Sequence, residues 1–132
     1  MTTKRLKTWE DVYKLPVRLN EHSEWVYDAK NGFVFQFEYG NISTPTMQGY
    51  IDVINGEKEP SGIIQFIHKG GEIRTNDDAD VHVITIRGWG RLTGTGGGLG
   101  LNEYDAINIQ DTFAEYIVDR LNGNKEVKDE SK

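Results

Sequence analysis

The chain has 132 residues, a formal net charge of -6 and no cysteine. Its length fits one ordinary domain with a single core. The missing cysteine excludes disulfides, thiolate metal sites and cysteine nucleophiles. The acidic balance disfavours binding to a phosphate backbone, which needs clustered Lys and Arg. We therefore expect a soluble, cytoplasmic protein whose partner is not nucleic acid.

The two ends of the sequence are polar. Residues 1–7 are basic and lack the apolar run of a secretory signal. No stretch approaches the roughly 20 apolar residues of a membrane span, so no membrane association is expected. Residues 1–7 and the charged residues 124–132 are predicted to be disordered. Residues 8–123 are predicted to form a single domain.

The first element is a predicted short helix. Thr8 and Asp11 are spaced like the two members of a capping box, with Asp in place of the usual Glu. The helix should run from Trp9 to about Leu15, because Pro16 cannot continue it.

An aromatic β-hairpin is predicted next, from Glu24 to Ala29 and from Phe33 to Tyr39. Strict alternation would place the four aromatic residues of the second strand on one face. A two-residue turn would set charged residues opposite that face, whereas a three-residue turn at 30–32 would set Ala29, Tyr27 and Trp25 there. We therefore predict the three-residue turn, with Gly32 left-handed.

The middle of the chain is predicted to add a helix, a second hairpin and a central strand. Thr44 before Pro45 is typical of a helix start, and the apolar spacing that follows favours a helix from Pro45 to Asn55. The hairpin comprises residues 63–69 and 72–75, joined by two glycines. The strand from Val81 to Arg87 is apolar on both faces, which favours a central position in the sheet.

A long amphipathic helix is predicted from Asn102 to Leu121. Its apolar stripe is broad, and Gln110 lies in the middle of it, so we expect Gln110 to be largely buried with its amide bonded to backbone or to a polar side chain. The stripe consists of Ala106, Ile107, Ile109, Phe113, Ala114, Ile117, Val118 and Leu121. The order of elements predicts an α+β fold: a mostly antiparallel sheet of about five strands, packed by the long C-terminal helix, with two shorter helices.

A glycine-rich loop, residues 88–101, joins the central strand to the long helix. Seven of its first thirteen residues are glycine, so successive N–H groups can turn toward one anion. Arg87 and Arg91 flank it without an acidic residue between them. The predicted ligand-binding residues are Arg87, Gly90, Arg91, Thr93, Gly94, Thr95, Gly96, Gly97 and Gly98.

Other observations oppose this hypothesis. The glycine spacing matches neither a Rossmann fingerprint nor a P-loop, and Glu103 and Asp105 would repel an anion at the start of the helix. The alternative is that the loop is structural, its glycines admitting Trp89, Leu92 and Leu99 into the core.

The remaining chemistry-bearing residues give weaker signals. His68 with His82, or Asp78 and Asp80 with His82, could ligate a metal, but a packed histidine and an exposed acidic turn are the more ordinary explanations. The aromatic hairpin could stack bases, yet it lacks interleaved Lys and Arg, which favours core packing. We predict no catalytic residue, no metal and no cofactor.

These patterns favour a small non-enzymatic binding protein that holds an anionic or nucleotide-like ligand at the glycine loop. One alternative is a protein-interaction, inhibitor or accessory protein, of the kind found in phages and mobile elements, with a structural loop. Another is a small enzyme in which Arg91, Thr93, His82 and Asp80 converge. The partners expected are an anionic small molecule or a protein, and the expected state is a monomer or small homo-oligomer.

Overall fold

The computed structural model describes residues 8–20, 24–38, 42–60, 64–96 and 98–123, and the two predicted disordered ends lie outside these ranges. Six strands form one antiparallel sheet in the order β1-β2-β3-β6-β5-β4. The strands are β1 (Arg18–Leu19), β2 (Trp25–Tyr27), β3 (Phe33–Phe37), β4 (Phe66–Lys69), β5 (Glu72–Thr75) and β6 (His82–Ile86). The helices are a 3-10 turn (Trp9–Asp11), α1 (Thr44–Ile54), α2 (Trp89–Thr93) and α3 (Glu103–Asn122).

The predicted α+β class is confirmed, with six strands instead of five. The additional strand is β1, which pairs with β2 through only two residues. A strand of that length carries no alternation in the sequence, so its pairing depends on the hairpin beside it.

One face of the sheet carries the core. The Phe35 ring lies 6.0 Å from the Phe113 ring of α3, and the Phe37 ring stacks 6.2 Å from Tyr50 of α1. The other helical elements also contact α3 on this side. No helix of the described residues covers the opposite face, which we call the open face.

Helix α3 has the predicted position and orientation. Asn102 caps it by accepting from the Asp105 N–H, and Gly123 ends it with a φ of 76°. The predicted apolar stripe is buried except for Ile107, which is exposed. Gln110 is partly buried, and its amide donates to the Arg87 carbonyl at 3.2 Å. The predicted hydrogen bond is therefore confirmed, but the expected burial is only partial, because Gln110 lies nearer the edge of the stripe than predicted.

The predicted register of the aromatic hairpin is wrong. Tyr27 pairs with Phe33 and Val26 with Phe35, so Val34 is an extra, bulged residue. Val34 and Phe35 are consequently both buried, whereas Phe33 turns to the open face and contacts Trp25. The left-handed residue of the turn is Asn31, with a φ of 67°, and not Gly32.

A second bulge explains why β6 is apolar on both of its predicted faces. Ile84 pairs with Ile73 but His82 pairs with Arg74, which leaves Val83 as the extra residue. Val83 and Ile84 are both buried, while Thr85 lies on the other, partly exposed face. The predicted central position of this strand is confirmed. Its apolar character on both faces reflects the bulge, however, because the helices among the described residues all lie on one face of the sheet.

The predicted N-terminal helix is shortened to a 3-10 turn. The capping box of Thr8 and Asp11 is present. Beyond it, the Lys14 N–H donates to the Asp28 carboxylate and the Lys14 carbonyl accepts from Ala29. These tertiary hydrogen bonds hold Lys14 out of a helical conformation before Pro16 is reached. Helix α1 agrees with the prediction, except that the Ser43 side chain caps it.

Two asparagine side chains hydrogen-bond to backbone groups at the two edges of the sheet. Asn55, at the C-terminal end of α1, accepts from the Val17 N–H and donates to the Val17 carbonyl, both at 2.8 Å. Asn122, at the end of α3, makes the same pair of hydrogen bonds with Phe66 of β4, at 2.7 and 3.0 Å. Each amide replaces a neighbouring strand and protects an otherwise unpaired edge.

Among the helices of the described ranges, none combines the length and the apolar character that a membrane span requires.

Candidate functional site

The glycine loop is held together by its own backbone. Its N–H groups at 94, 99, 100 and 101 donate to the carbonyl oxygens at 90, 91, 94 and 92, at 2.8 to 2.9 Å. The Thr93 hydroxyl donates to the Trp89 carbonyl at 3.0 Å. These donors point toward the loop itself, which is a different arrangement from a set of N–H groups turned toward an external anion.

Gly98 is surrounded by three backbone oxygens. A Cβ added there would lie 2.6 Å from the Gly90 oxygen and 2.7 Å from the oxygens of Arg91 and Gly94. The same addition at Gly96 would meet nothing within 4 Å. The end of α2 therefore packs its carbonyl groups around Gly98, and the glycine is required by close approach at that position.

Arg91 anchors the loop to the rest of the fold. Its Nη2 atom lies 3.3 Å from Oδ2 of the fully buried Asp28, and its guanidinium lies 5.1 Å from the Tyr13 ring centroid. The guanidinium also packs so closely on Gly32 that a Cβ there would collide with it. Arg91 thus ties α2 to the β2–β3 turn.

Asp28 accepts the hydrogen bonds that hold Arg91 and the β2–β3 turn together. Its carboxylate accepts backbone N–H hydrogen bonds from Lys14 at 2.9 Å, from Gly32 at 3.0 Å and from Lys30 at 3.1 Å. Burial acts to raise the pKa of Asp28, but the Lys14 and Gly32 N–H groups and the Arg91 guanidinium outweigh it and hold the pKa below its usual value. The carboxylate is therefore a charged structural group.

Tyr13 completes the buried cluster. Burial raises the pKa of its hydroxyl to about 12, with Arg91 lowering it and Asp28 raising it. Among the described residues, the Tyr13 hydroxyl and Arg91 Nη1 are the buried side-chain atoms without a hydrogen-bond partner. Ionisation of Tyr13 in the folded protein is consequently unfavourable at neutral pH, and the residue serves packing against Phe113, 4.9 Å away between ring centroids.

The predicted ligand residues therefore separate into groups. Arg91 faces Asp28, whereas Arg87 lies on the open face, where its Nε donates to Gln36 at 2.9 Å. The hydroxyl of Thr93 and the N–H of Gly94 bond within the loop, and Gly98 is enclosed by carbonyl groups. Thr95, Gly90 and Gly96 are exposed, and Gly97 lies outside the described residues. Of the three apolar residues expected in the core, Leu92 is buried, but Trp89 and Leu99 are exposed.

The open face carries a cross-strand row that the sequence does not reveal, and we call it the aromatic row: Arg18, Tyr27, Phe33 and Arg87. Arg18 pairs with Tyr27, and Tyr27 pairs with Phe33. Arg87 follows β6 and donates its N–H to Val34, next to Phe33. The row therefore runs from β1 across β2 and β3 to the residue that follows β6, with an arginine at each end and two aromatic rings between them.

Trp25 covers one side of the row. Its ring centroid lies 5.2 Å from that of Phe33, and the ring centroid of Tyr27, on the same strand as Trp25, lies 5.7 Å from that of Phe33. The Arg18 guanidinium lies 5.5 Å from the Tyr27 centroid, within the range of a cation–π contact. Trp25 keeps 44% of its surface exposed, so these rings form a continuous surface that solvent reaches.

Beyond the row, the open face is polar and internally bonded. The Thr85 hydroxyl donates to Glu38 at 2.6 Å and lies 2.8 Å from His82 Nε2. Arg74 binds Glu72 and Asp80, each at 2.8 Å. The residues of the enzyme alternative thus take different partners: His82 and Asp80 join these networks, while Arg91 and Thr93 bond elsewhere.

A groove of about 650 Å³ lies between α3 and the β4–β5 turn. Its walls combine His68 and the turn glycines with polar residues of α3, including Asp111 and Glu115. His68 pairs with the buried Ile73, whereas His82 lies on the open face, so the two histidines do not share one site. Within the described ranges, no group of three His, Asp or Glu residues is arranged to hold a metal ion.

The aromatic row is not predicted from the sequence, because strict alternation places Phe33 on the same face as Phe35 and Phe37. The bulge at Val34 breaks that alternation. The only local signal was the apolar Val34 directly beside Phe35, which is one apolar residue too many for a half-buried strand.

Comparisons of the chain with protein-family models, with curated proteins and with solved structures found no match.

Proposed function

We propose that the chain is a non-enzymatic protein-binding module that engages its partner through the open face, with Trp25 and the aromatic row as the anchor. The observation that carries this proposal is the exposed ring cluster between Arg18 and Arg87. Trp, Tyr and Arg are the residues most enriched at the energetic centres of protein interfaces. An apolar patch with charged ends on an uncovered sheet face fits that anatomy.

The geometry of the glycine loop supports the same proposal. Arg91 of the loop is hydrogen-bonded to Asp28, and four N–H groups of the loop donate to carbonyl groups of the loop. The loop and α2 then act as a support that places Arg87, one residue before Gly88, at the end of the row. This is the accessory-protein alternative, in which the loop is structural.

Two tryptophans of nearly equal exposure allow a controlled test. Trp25 is 44% exposed on the open face, and Trp89 is 41% exposed on α2. A photo-crosslinking amino acid with an aromatic side chain, which keeps a ring at the substituted position, is placed at position 25 or at position 89, and both proteins are irradiated in cells of the natural source. We expect a discrete protein adduct from position 25 and a much weaker one from position 89. Equal adducts from both positions, or none from position 25, would overturn the proposal.

A second function, binding of a nucleotide-like anion, is favoured by one observation: two arginines flank a group of neighbouring aromatic rings. Stacking of a base on Trp25 would quench its fluorescence, because the base would lie on the exposed ring face. Titration of nucleotides into wild type and Trp25→Phe, with Trp89→Phe as the control, measures this directly. A saturable quench that only Trp25→Phe removes would favour the nucleotide over the protein partner.

A further inference from the structure

The aromatic row has a definite length and a definite charge pattern. Arg18 lies on β1 and Arg87 directly follows β6, so three inter-strand intervals separate their backbones in the order β1-β2-β3-β6. At about 4.8 Å per interval, the two arginines stand about 14 Å apart across the sheet. Tyr27 and Phe33 occupy the two positions between them. Any ligand that contacts the whole row meets a cation, two rings and a second cation in that order.

From this pattern we infer that the row binds an extended acidic segment of a partner protein, with two carboxylates about four residues apart and an apolar side chain between them. An extended chain advances about 3.4 Å per residue, so four residues match the separation of the arginines. The inference rests on the proposed protein-binding function and names the chemistry of the partner.

Local charge supports a carboxylate partner over a nucleic acid strand. The row offers two arginines, whereas a phosphate backbone requires many more cations to bind well. The next part of the open face carries Glu38 and Glu72, and Arg74 there is already bonded to Glu72 and Asp80. A strand of phosphates running on past the row would meet those carboxylates, while a short acidic segment need not extend so far.

Both arginines are oriented by contacts within the fold. The Arg18 guanidinium lies over Tyr27 and donates to the Asn31 side chain, and Arg87 Nε donates to Gln36. A guanidinium has five donors in a planar fork, so each arginine retains donors for a carboxylate after these contacts are made. This orientation reduces the entropy that binding would otherwise cost.

Heteronuclear NMR titration of the full chain tests the inference with four probes. Three are capped peptides with the pattern Glu-Gly-Phe-Gly-Glu, its Gln-Gly-Phe-Gly-Gln analogue and its Lys-Gly-Phe-Gly-Lys analogue, and the fourth is oligothymidylate. The acidic peptide should shift the Trp25 indole and Arg87 signals saturably. The Gln analogue should bind about tenfold more weakly, because two charge-assisted hydrogen bonds become neutral. The basic analogue should bind more weakly still.

Two variants distinguish the row from general electrostatics. Arg87→Gln should reduce the affinity for the acidic peptide to near that of the Gln analogue. Arg74→Gln removes the same charge from the same face, at a residue that is already paired, and should leave the affinity within about twofold at a salt concentration that screens distant charges. Equal losses in the two variants would overturn the inference.

The remaining outcomes separate this inference from the proposed function. Equal binding of acidic and neutral peptides, beside a discrete adduct from position 25, would refute the acidic segment and leave the protein-binding function standing. Tighter binding of oligothymidylate than of the acidic peptide would refute it in favour of nucleic acid. Binding of the acidic peptide without any adduct would support this chemistry while refuting a protein partner in those cells.

Discussion

The glycine loop and the aromatic row differ in how visible they are in the sequence and in where their polar groups point. The loop is conspicuous in composition, yet several of its N–H groups and Arg91 bond within the fold. The row is dispersed over three strands and the residue that follows β6, and its rings and arginines reach solvent. A concentration of unusual residues can therefore mark difficult packing, while a binding surface can be assembled from ordinary residues by sheet register alone.

The anchor beneath the loop gives the largest expected effect. Asp28→Ala removes the acceptor of three backbone N–H groups and leaves the Arg91 guanidinium half-buried without its partner, so the free energy of unfolding should fall by about 3–5 kcal/mol. Arg91→Ala should cost less, because the carboxylate keeps its backbone donors. Urea unfolding measures both. A larger loss for Arg91→Ala would contradict the central role of Asp28 in this anchor.

Two glycine replacements test whether close packing around Gly98 constrains the loop. Gly98→Ala places a methyl group against three carbonyl oxygens and should destabilise by about 1–3 kcal/mol, as overpacking does elsewhere. Gly96→Ala has open space around it and should be neutral or slightly stabilising. Melting temperatures of the two variants provide the comparison. Equal effects would mean that the carbonyl cluster around Gly98 does not constrain the loop.

Acid below about pH 4 should weaken the anchor beneath the loop. Because the folded-state pKa of Asp28 lies below its value of about 3.9 in an unfolded chain, its contribution is fully present above about pH 4. That contribution is lost as the pH falls through the folded-state pKa. In Asp28→Asn the unfolding free energy should depend less steeply on pH below pH 4 than in wild type. Identical slopes would show that this carboxylate is not the group that titrates.

The smallest stability effect is expected on the open face. Arg87→Ala removes an exposed side chain whose Nε contacts Gln36, so the unfolding free energy should change by no more than about 0.5 kcal/mol. Thermal unfolding of this variant beside Arg91→Ala compares the two arginines that flank the loop. A large loss from Arg87→Ala would make it a structural residue and weaken its assignment to a binding surface.

Elements with long periodic patterns were predictable from the sequence. Helix α3 spans five turns with a broad apolar stripe, and tertiary contacts do not alter its boundaries. Helix α1 and the β4–β5 hairpin have similarly clear start and stop signals. Local propensity and burial agree in these segments, so the sequence is sufficient there.

The features that the sequence did not predict have a common physical cause. Each of them depends on a contact between residues that are distant in sequence. The N-terminal helix is cut short by hydrogen bonds between Lys14 and the β2–β3 turn. Strand β1 exists only because β2 lies beside it. The bulge at Val34 follows a turn that Asp28 organises, and alternation could not reveal it. The candidate site depends on that bulge, which is why it could be found only in three dimensions.

The central claim, that the open face binds a protein partner, is tested most directly by affinity. With the partner captured by crosslinking at position 25, dissociation constants are measured for wild type, Trp25→Ala and Trp89→Ala. Loss of a central anchor costs about 2 kcal/mol or more, so Trp25→Ala should weaken binding by about thirtyfold or more, and Trp89→Ala by less than about threefold. Equal affinities for the two variants would contradict the claim.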